Sequence, residues 1–259
     1  MPAQSLALID SCGQPLLRGD TGPVPWWSFT KTVLAIAALR LVEDDMLCLD
    51  APLEGESFTL RQLLRHEAGL ADYGLMAQYQ GDVAAGRTPW SVEQLLDRVD
   101  VRSSRGMPGQ GWRYSNVGYL YVGRQIAQAM GLNLADALRT CVFQPAGLTS
   151  ARLARLPPDL ADVNMGDAPG YHPGWVYHGL VTGTTLDAAR LLAALVRGHL
   201  LQPGTLAQMY ERRALPEHRC AVHPDPAYGL GLMLHARDVQ SHPVGHSGAG
   251  PGSRIAVYA

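Results

Sequence analysis

A serine and a lysine three positions apart, Ser28 and Lys31, are the residues of this chain best suited to covalent chemistry. Lys31 is the only lysine among 259 residues, and the other 20 of the 21 basic Lys and Arg residues are arginine. A serine hydroxyl becomes a nucleophile when a base takes its proton, and a buried neutral lysine can be that base, whereas arginine stays protonated. The same pair also suits a structural role, in which Ser28 caps a helix and Lys31 lies on its surface.

A second stretch of interest is the polar and aromatic segment 112–119, which contains Tyr114 and Asn116. A tyrosine close to the serine and lysine could relay protons, and an asparagine two residues on could hold a substrate amide while steadying the lysine. The structural alternative is that Tyr114 packs in the core and Asn116 caps the helix that follows.

A third stretch, 245–252, is rich in small residues and begins Gly245-His246-Ser247-Gly248-Ala249. Small residues in a strand let its backbone approach a ligand and lend an N–H group to an oxyanion. A glycine-rich turn between two strands would give the same pattern. The three stretches taken together favour one nucleophilic site over three separate structural roles.

The elements that must position these residues follow from the periodicity of the apolar residues. The segments 5–10 and 15–18 predict a hairpin, and a nearly all-apolar helix is predicted from Ser28 to about Val42, buried in the middle of the protein. Further helices are predicted at 60–66, 92–99, 118–130 and 187–197, and β structure returns at 228–235, 244–249 and 253–258.

These elements predict an α+β fold, an α/β sandwich in which both termini build one antiparallel sheet. We assign 1–55 together with 226–259 to the sheet region that carries the nucleophile helix. The segment 56–225 is assigned to an inserted, mostly helical region, and the whole is one catalytic unit.

Composition argues against several classes of function. The net charge of −2 provides no basic surface for nucleic acid, and no apolar run is long enough to span a membrane. The four cysteines form no CxxC pair and the nine histidines form no metal-binding motif, so we predict reduced thiols, no metal and no other cofactor. The start of the chain does not read as a secretory signal, which predicts a cytoplasmic protein.

The motifs resemble those of the serine β-lactamase and penicillin-binding-protein superfamily, in particular the class C β-lactamase-like branch with its D-alanyl-D-alanine carboxypeptidases and esterases. Ser28-Phe29-Thr30-Lys31 matches the SxxK motif, Tyr114-Ser115-Asn116 matches YxN, and His246-Ser247-Gly248 matches the HxG variant of KTG. Flanking stretches at 63–70, 178–187 and 228–232 are similar as well. The resemblance extends from about residue 22 to residue 255.

The resemblance implies a serine hydrolase that cleaves a small-molecule ester, an amide or a short peptide. Ser28 would be acylated, and water would then release the acid. Lys31 and Tyr114 would share the roles of general base and general acid, in an order that the sequence leaves open. Asn116 would bind substrate and orient Lys31.

The strand motif would complete the site. The N–H groups of Ser28 and Ala249 would form the oxyanion hole, and His246, Ser247 and Gly248 would contact substrate. His246 stands where β-lactamases and penicillin-binding proteins usually carry a lysine that fixes the substrate carboxylate. A histidine is mostly neutral at pH 7, so the resemblance favours esterase or amidase activity over efficient β-lactam hydrolysis.

The end of the sequence departs from the family pattern. Family members normally continue beyond the position of Tyr258 with another strand, which usually lies between the penultimate strand and the N-terminal hairpin, and with a helix. Without that strand, sheet edges are left open unless the N-terminal strands close up directly. Pairing with another copy in a homodimer is a further possibility, and a truncated chain is a third.

Two other functions compete with the hydrolase. The first is a catalytically weak or inactive homologue on the same scaffold that binds a β-lactam or a peptide. The second is an α/β-hydrolase, because 245–249 resembles the G-x-S-x-G elbow. That fold needs an acid and a histidine after the nucleophile, and the 12 residues after Ser247 contain no Asp, Glu or His.

We predict that Lys31→Arg keeps the fold and loses most of the activity, because the guanidinium stays protonated and cannot accept the Ser28 proton. Turnover of a p-nitrophenyl ester, measured beside circular dichroism of the same sample, tests this. Near-normal turnover in the folded variant would show that the survival of a single lysine at position 31 is accidental.

Overall fold

The computed structural model describes residues 4–100, 106–237 and 242–259. The start of the chain, which we interpreted as lacking a secretory signal, includes residues 1–3, which lie outside the described residues. Eight α-helices occur in the described ranges: α1 (Thr30–Glu43), α2 (Leu60–Leu64), α3 (Ala77–Ala84), α4 (Val92–Arg98), α5 (Asn116–Met130), α6 (Leu134–Leu138), α7 (Thr185–Val196) and α8 (Pro203–Tyr210).

Ten strands occur in the same ranges. They are β1 (Ser5–Ile9), β2 (Pro15–Gly19), β3 (Val24–Pro25), β4 (Arg152–Ala154), β5 (Leu180–Gly183), β6 (Arg213–Ala214), β7 (Pro226–Tyr228), β8 (Met233–His235), β9 (Gly245–Gly250) and β10 (Ser253–Tyr258). The hairpin, the five predicted helices and the strands predicted at 244–249 and 253–258 are present, with boundaries shifted by a few residues at most. The predicted β segment 228–235 is two separate strands, β7 and β8.

The helix α1 is buried in the protein, as its composition predicts. Every residue from Thr30 to Leu39 is buried, because a helix with apolar residues on all sides has no polar face to turn to solvent. The helices α5 and α6 pack against it. It begins directly after a 3-10 turn over Trp27–Phe29, so Ser28 lies one turn before Lys31.

The strands form three hydrogen-bonded antiparallel sheets. The largest has the order β10-β9-β8-β7-β6, the second is β3-β5-β4, and the third is the hairpin β1-β2. The mixed α and β elements and the antiparallel pairing confirm the predicted fold class. Within the described residues, however, the hairpin does not pair with the C-terminal sheet, so the two ends of the chain do not build one continuous sheet.

A cavity of about 960 Å³ separates the hairpin from the C-terminal sheet, lined by β1 on one side and β10 on the other. The helix α7 packs against both strands. The two strands are therefore held on a common support while remaining too far apart to share backbone hydrogen bonds.

The register shows which backbone groups face this cavity. Val244 and Ala259 exchange both of their backbone hydrogen bonds, so by alternation the N–H groups of Arg254, Ala256 and Tyr258 point away from β9. In the hairpin, the Asp10 N–H donates to the Gln14 carbonyl and the Asp20 N–H donates to the Gln4 carbonyl. By the same alternation, the backbone N–H and C=O groups of residues 5, 7 and 9 point away from β2. Both edges thus present backbone donors and acceptors toward the gap.

The middle of the chain is mostly helical, and it also contains short strands that the periodicity did not reveal. The strands β4 and β5 pair with each other and with β3, and β6 joins the C-terminal sheet from within the range predicted as inserted. Strands of two to four residues are too short for an alternating pattern to appear. Among the described residues, no helix is both long enough and apolar enough to cross a bilayer.

Candidate active site

Ser28 lies in the 3-10 turn between β3 and α1, and the two tryptophans that precede it anchor that turn. The Trp26 indole donates to the Gly183 carbonyl at 3.1 Å, and the Trp27 indole donates to the Ser253 hydroxyl at 3.0 Å. Trp27 has a φ of 42°, a left-handed conformation that a bulky residue adopts only when its surroundings enforce it. The Ser28 side chain is thereby placed at the wall of a cavity of about 670 Å³.

Lys31 is fully buried, and its Nζ has three polar neighbours. Nζ lies 2.6 Å from Asn116 Oδ1, 3.2 Å from Ser28 Oγ and 3.2 Å from His178 Nε2. Burial lowers the pKa of Lys31 from 10.5 to about 7, and the negative charge of Asp72 opposes part of that shift. Lys31 thus titrates near neutrality within hydrogen-bond distance of the Ser28 hydroxyl.

Tyr114 completes the contacts of the serine. Its hydroxyl donates a hydrogen bond of 2.9 Å to Ser28 Oγ, and the Lys31 ammonium lies 4.8 Å from the centre of its ring. Burial raises the pKa of Tyr114 well above 10, which keeps the phenol protonated. The imidazole of His66 packs on the same ring at a centroid distance of 4.3 Å and holds it in place.

Asn116 is the first residue of α5, and its side chain bonds away from the helix end. The cap is formed by Ser115, whose hydroxyl accepts the Gly118 N–H at 3.1 Å, so the structural alternative in which Asn116 caps this helix is wrong. The Asp72 carboxylate accepts both the Asn116 backbone N–H at 2.7 Å and its side-chain N–H at 3.2 Å. This fixes the amide, so that Oδ1 faces Lys31.

His246 is placed differently from the expectation that it contacts substrate. The side chain is fully buried and does not line the cavity beside Ser28. Its Nε2 lies 2.9 Å from the Tyr228 hydroxyl, and its Nδ1 lies 2.5 Å from the Ser247 carbonyl oxygen. Burial, reinforced by the charge of Lys31, lowers the pKa of His246 to about 3, so the ring is neutral. Ser247 is partly buried, and its hydroxyl faces the Met233 sulfur.

Two glycines of β9 allow the residues of the nucleophile turn to approach the strand closely. A β-carbon on Gly248 would lie 2.7 Å from the backbone nitrogen of Ser28, and one on Gly250 would lie 2.4 Å from the Trp27 ring. Real β-carbons do not come this close, so a side chain at either position would displace the turn that carries Ser28.

The structure places Ala249 at the cavity wall, close to Ser28. By the β9–β10 register, Gly248 pairs with Ile255 through hydrogen bonds and the Ala249 N–H points away from β10. The strand β8 pairs with β9 only at Gly245 and does not reach this amide. The structure therefore brings together Ser28, Lys31, Tyr114, Asn116, Gly248 and Ala249, and directs the His246 side chain elsewhere.

Two residues of the site were not identified from the sequence. Asp72 lies just after the stretch 63–70, and His178 begins the stretch 178–187, so both neighbour segments that drew attention only as flanking similarity. Asp72 fixes Asn116, and His178 contacts Lys31. Their residue types could have drawn attention to them, because each is a titratable residue inside or beside a segment that resembles a family motif.

The cavity beside Ser28 has an apolar and aromatic wall. Among the described residues that line it, Asp167 carries the only formal charge and none is Lys or Arg. In the part of the chain that the structure describes, no group of three His, Cys, Asp or Glu side chains could hold a metal ion. The aromatic and larger aliphatic side chains of the wall are Trp27, Tyr73, Tyr79, Val83, Tyr171 and Val176.

Comparison with known proteins places this geometry in a family. The chain is 27% identical to penicillin-binding protein 4* of Bacillus subtilis, over 87% of this chain and 55% of that protein. It is also 27% identical to the lovastatin esterase of Penicillium rubens, over 82% of this chain and 69% of that protein. The chain thus spans about half the length of the first of these relatives.

Solved structures share the fold. The D-amino acid amidase of Ochrobactrum anthropi superposes with a TM-score of 0.75 at 22% identity, over 94% of this chain and 80% of that one. The octameric penicillin-binding protein homologue of Pyrococcus abyssi gives a TM-score of 0.77 at 22% identity, over 95% of this chain and 64% of that one. The family model described as Beta-lactamase matches residues 17–259, and the chain belongs to the β-lactamase family.

Proposed function

We propose that the protein is a serine hydrolase that cleaves a carboxylic ester or an amide through an acyl-enzyme on Ser28. The observation that carries the proposal is the placement of Ser28 Oγ, 3.2 Å from Lys31 Nζ and 2.9 Å from the Tyr114 hydroxyl, at the wall of a cavity. Relatives named as an esterase and a D-amino acid amidase support the reaction type.

In the proposed mechanism, Lys31 takes the first proton. The Tyr114 hydroxyl donates to Ser28 and stays protonated, whereas Lys31 loses its proton near neutrality. As Ser28 Oγ forms its bond to the acyl carbon, its proton passes to Lys31 Nζ. The leaving group departs with a proton from Tyr114, and the Lys31 ammonium then gives its proton to the Tyr114 oxygen, so that both groups are neutral in the acyl-enzyme. Water then cleaves the acyl-enzyme, releasing the acid and restoring the serine.

The backbone N–H groups of Ser28 and Ala249 are proposed as the oxyanion hole. Two amide donors that are fixed before the reaction stabilise the developing charge at no cost in reorganisation. The close packing of Gly248 on the Ser28 backbone supports this role, because it holds β9 and the nucleophile turn together.

We propose an uncharged ester or amide as substrate, with weak or no β-lactamase activity; a short peptide, as in a D-Ala-D-Ala carboxypeptidase, is the other candidate. His246 is buried and neutral, and the described residues that line the cavity include no Lys or Arg, so the cavity wall offers no permanent cation to a substrate carboxylate. A substrate panel of short-chain esters, D-amino-acid amides, nitrocefin and D-Ala-D-Ala peptides compares these classes.

We further propose that the protein works in the cytoplasm. All four cysteines are free, and Cys12, Cys48 and Cys220 are exposed, which is typical of a reducing compartment. Detection of the protein in the secreted or periplasmic fraction of its native cells would contradict this.

We expect a fluorophosphonate probe to label the protein, and Ser28→Ala to abolish both labelling and turnover of p-nitrophenyl esters, because the variant lacks the only proposed nucleophile. Ser247→Ala is a matched control, since the Ser247 hydroxyl faces Met233 and not the cavity. Labelling of Ser28 without turnover would favour the weak or inactive binding protein. Turnover that persists in Ser28→Ala would contradict the proposal.

We expect kcat/KM for an ester without titratable groups to rise with pH through about 7 and to level off above it. The direction follows from the pKa of Lys31, which burial lowers to about 7, since the amine is a base only when deprotonated. At one pH unit below the midpoint the rate falls to about a tenth of the plateau. A rate independent of pH between about 5 and 9 would contradict Lys31 as the base.

We propose that two copies associate through the open edges of β1 and β10, whose outward backbone groups face a cavity of about 960 Å³. Such edges are templates for strand pairing. Light scattering after gel filtration is expected to show a dimer that Ala256→Pro weakens, because the N–H of Ala256 points into the gap. Ala256→Val, which keeps this N–H, is the control. A wild-type chain that stays monomeric at high concentration would contradict the proposal.

A further inference from the structure

The surroundings of Lys31 contain one more polar contact than the proposed proton transfer uses. Ser28 Oγ is the proton donor and Asn116 Oδ1 is the amide fixed by Asp72, but the third neighbour is the imidazole Nε2 of His178, at 3.2 Å. His178 is 4% exposed and also lines the cavity beside Ser28. An imidazole in this position must be either incidental packing or part of the site.

The hydrogen-bonding capacity of a neutral amine decides between these. Deprotonated Lys31 has two N–H donors and one lone pair, and only the lone pair can accept the Ser28 proton. With one N–H donated to Asn116 Oδ1 and the other to His178 Nε2, the lone pair is left for Ser28 Oγ. We propose that His178 is a positioning residue that takes one Lys31 N–H and thereby directs the lone pair of the base at the nucleophile.

The local backbone holds the imidazole in place. His178 belongs to a turn closed by a 2.7 Å hydrogen bond from the Gly179 N–H to the Val176 carbonyl, immediately before β5. Gly179 has a φ of 95°, which favours glycine, and a β-carbon there would lie 2.8 Å from the Leu153 side chain. The turn is thus tightly packed, and the ring enters the site from a rigid segment.

The proposal assigns the tautomer of His178. Nε2 accepts from Lys31 and therefore has no proton, so the proton is on Nδ1. Nδ1 is buried and has no hydrogen-bond partner among the described residues. A buried donor without a partner costs free energy, and the assigned tautomer carries that cost at Nδ1.

The charges around Lys31 determine the expected direction of the pH effect. Burial, reinforced by the charge of Lys31, lowers the pKa of His178 well below 6.5 and keeps the ring neutral as an acceptor. A neutral acceptor stabilises the ammonium form of Lys31, so removing it should lower the pKa of Lys31 further. The other titratable groups facing Lys31 are Asp72, His66, His246, Tyr114 and Tyr119.

The inference rests on the proposed function, but its first test does not require turnover. Because Lys31 is the only lysine, a sample labelled with ¹³Cε-lysine gives a single side-chain signal whose shift reports the titration of this amine. We compare the wild type with His178→Leu, which removes the acceptor while filling the space, and His178→Gln, whose Oε1 can replace Nε2. His199→Leu, at an exposed histidine, is the matched control.

We expect the Lys31 midpoint to move down by about half a pH unit or more in His178→Leu, to lie near the wild-type value in His178→Gln and to stay unchanged in His199→Leu. A merely structural role would change the melting temperature without this pattern. An unchanged midpoint in folded His178→Leu would overturn the hydrogen bond to Lys31.

The second test is the rate at which the fluorophosphonate probe acylates Ser28 on the high-pH plateau, where Lys31 is neutral in every variant. We expect Ser28 of His178→Leu to be acylated about 10-fold to 100-fold more slowly, because the lone pair of Lys31 is no longer directed at Ser28 in this variant. We expect His178→Gln to recover most of the lost rate, because Gln Oε1 can still accept the Lys31 N–H. If the midpoint moves but the plateau rate does not, His178 only tunes the base and the proposal fails. If acylation follows the expected pattern while no ester turns over, the positioning role of His178 is supported and the proposal that the protein is a hydrolase is contradicted.

Discussion

The structure depends on the burial of one amine. Lys31 lies on the central helix, where every residue from Thr30 to Leu39 is buried. Its hydrogen-bond contacts among the described residues are Ser28, Asn116 and His178, none of which is a carboxylate. Burying an ammonium costs free energy, and the lowering of the Lys31 pKa from 10.5 to about 7 expresses a penalty on the order of 5 kcal/mol. The penalty is complete below pH 7, where Lys31 is protonated in both the folded and the unfolded chain. It is relieved as the pH rises toward 10.5, because the folded chain then no longer buries a charge. Other parts of the fold must offset this cost.

The tight packing around the nucleophile turn contributes to that offset. Trp27 adopts a left-handed backbone conformation, and a β-carbon on Gly250 would overlap its ring. Gly248 packs on the Ser28 backbone in the same way, so two glycines of one strand hold the turn against α1. On the other side of α1, the Thr32 hydroxyl donates to the Gly231 carbonyl at 2.8 Å. Strain at the turn persists because these contacts leave it no alternative.

The sequence predicts the parts of this arrangement that depend on local patterns. The apolar composition of α1, the three-residue spacing of Ser28 and Lys31, and the small residues of β9 are all local, and each is found where expected. The placement of Asp72 and His178 is not local, since loops bring them to Lys31 from distant parts of the chain. The orientation of His246 is set by a hydrogen bond to Tyr228, which a motif does not encode. The separation of β1 from β10 likewise depends on long-range packing over α7.

The same burial explains why the groups around the base are uncharged. Burial and the proximity of Lys31 lower the pKa values of His66, His178 and His246, so three histidines surround the amine without competing for its charge. The nearest carboxylate, Asp72, is occupied by the Asn116 amide and raises the Lys31 pKa only in part. An anionic substrate beside Ser28 would raise the pKa of Lys31 and protonate the base on binding. A neutral ester or amide would leave the base unprotonated, and the described residues that line the cavity include no Lys or Arg to hold an anion.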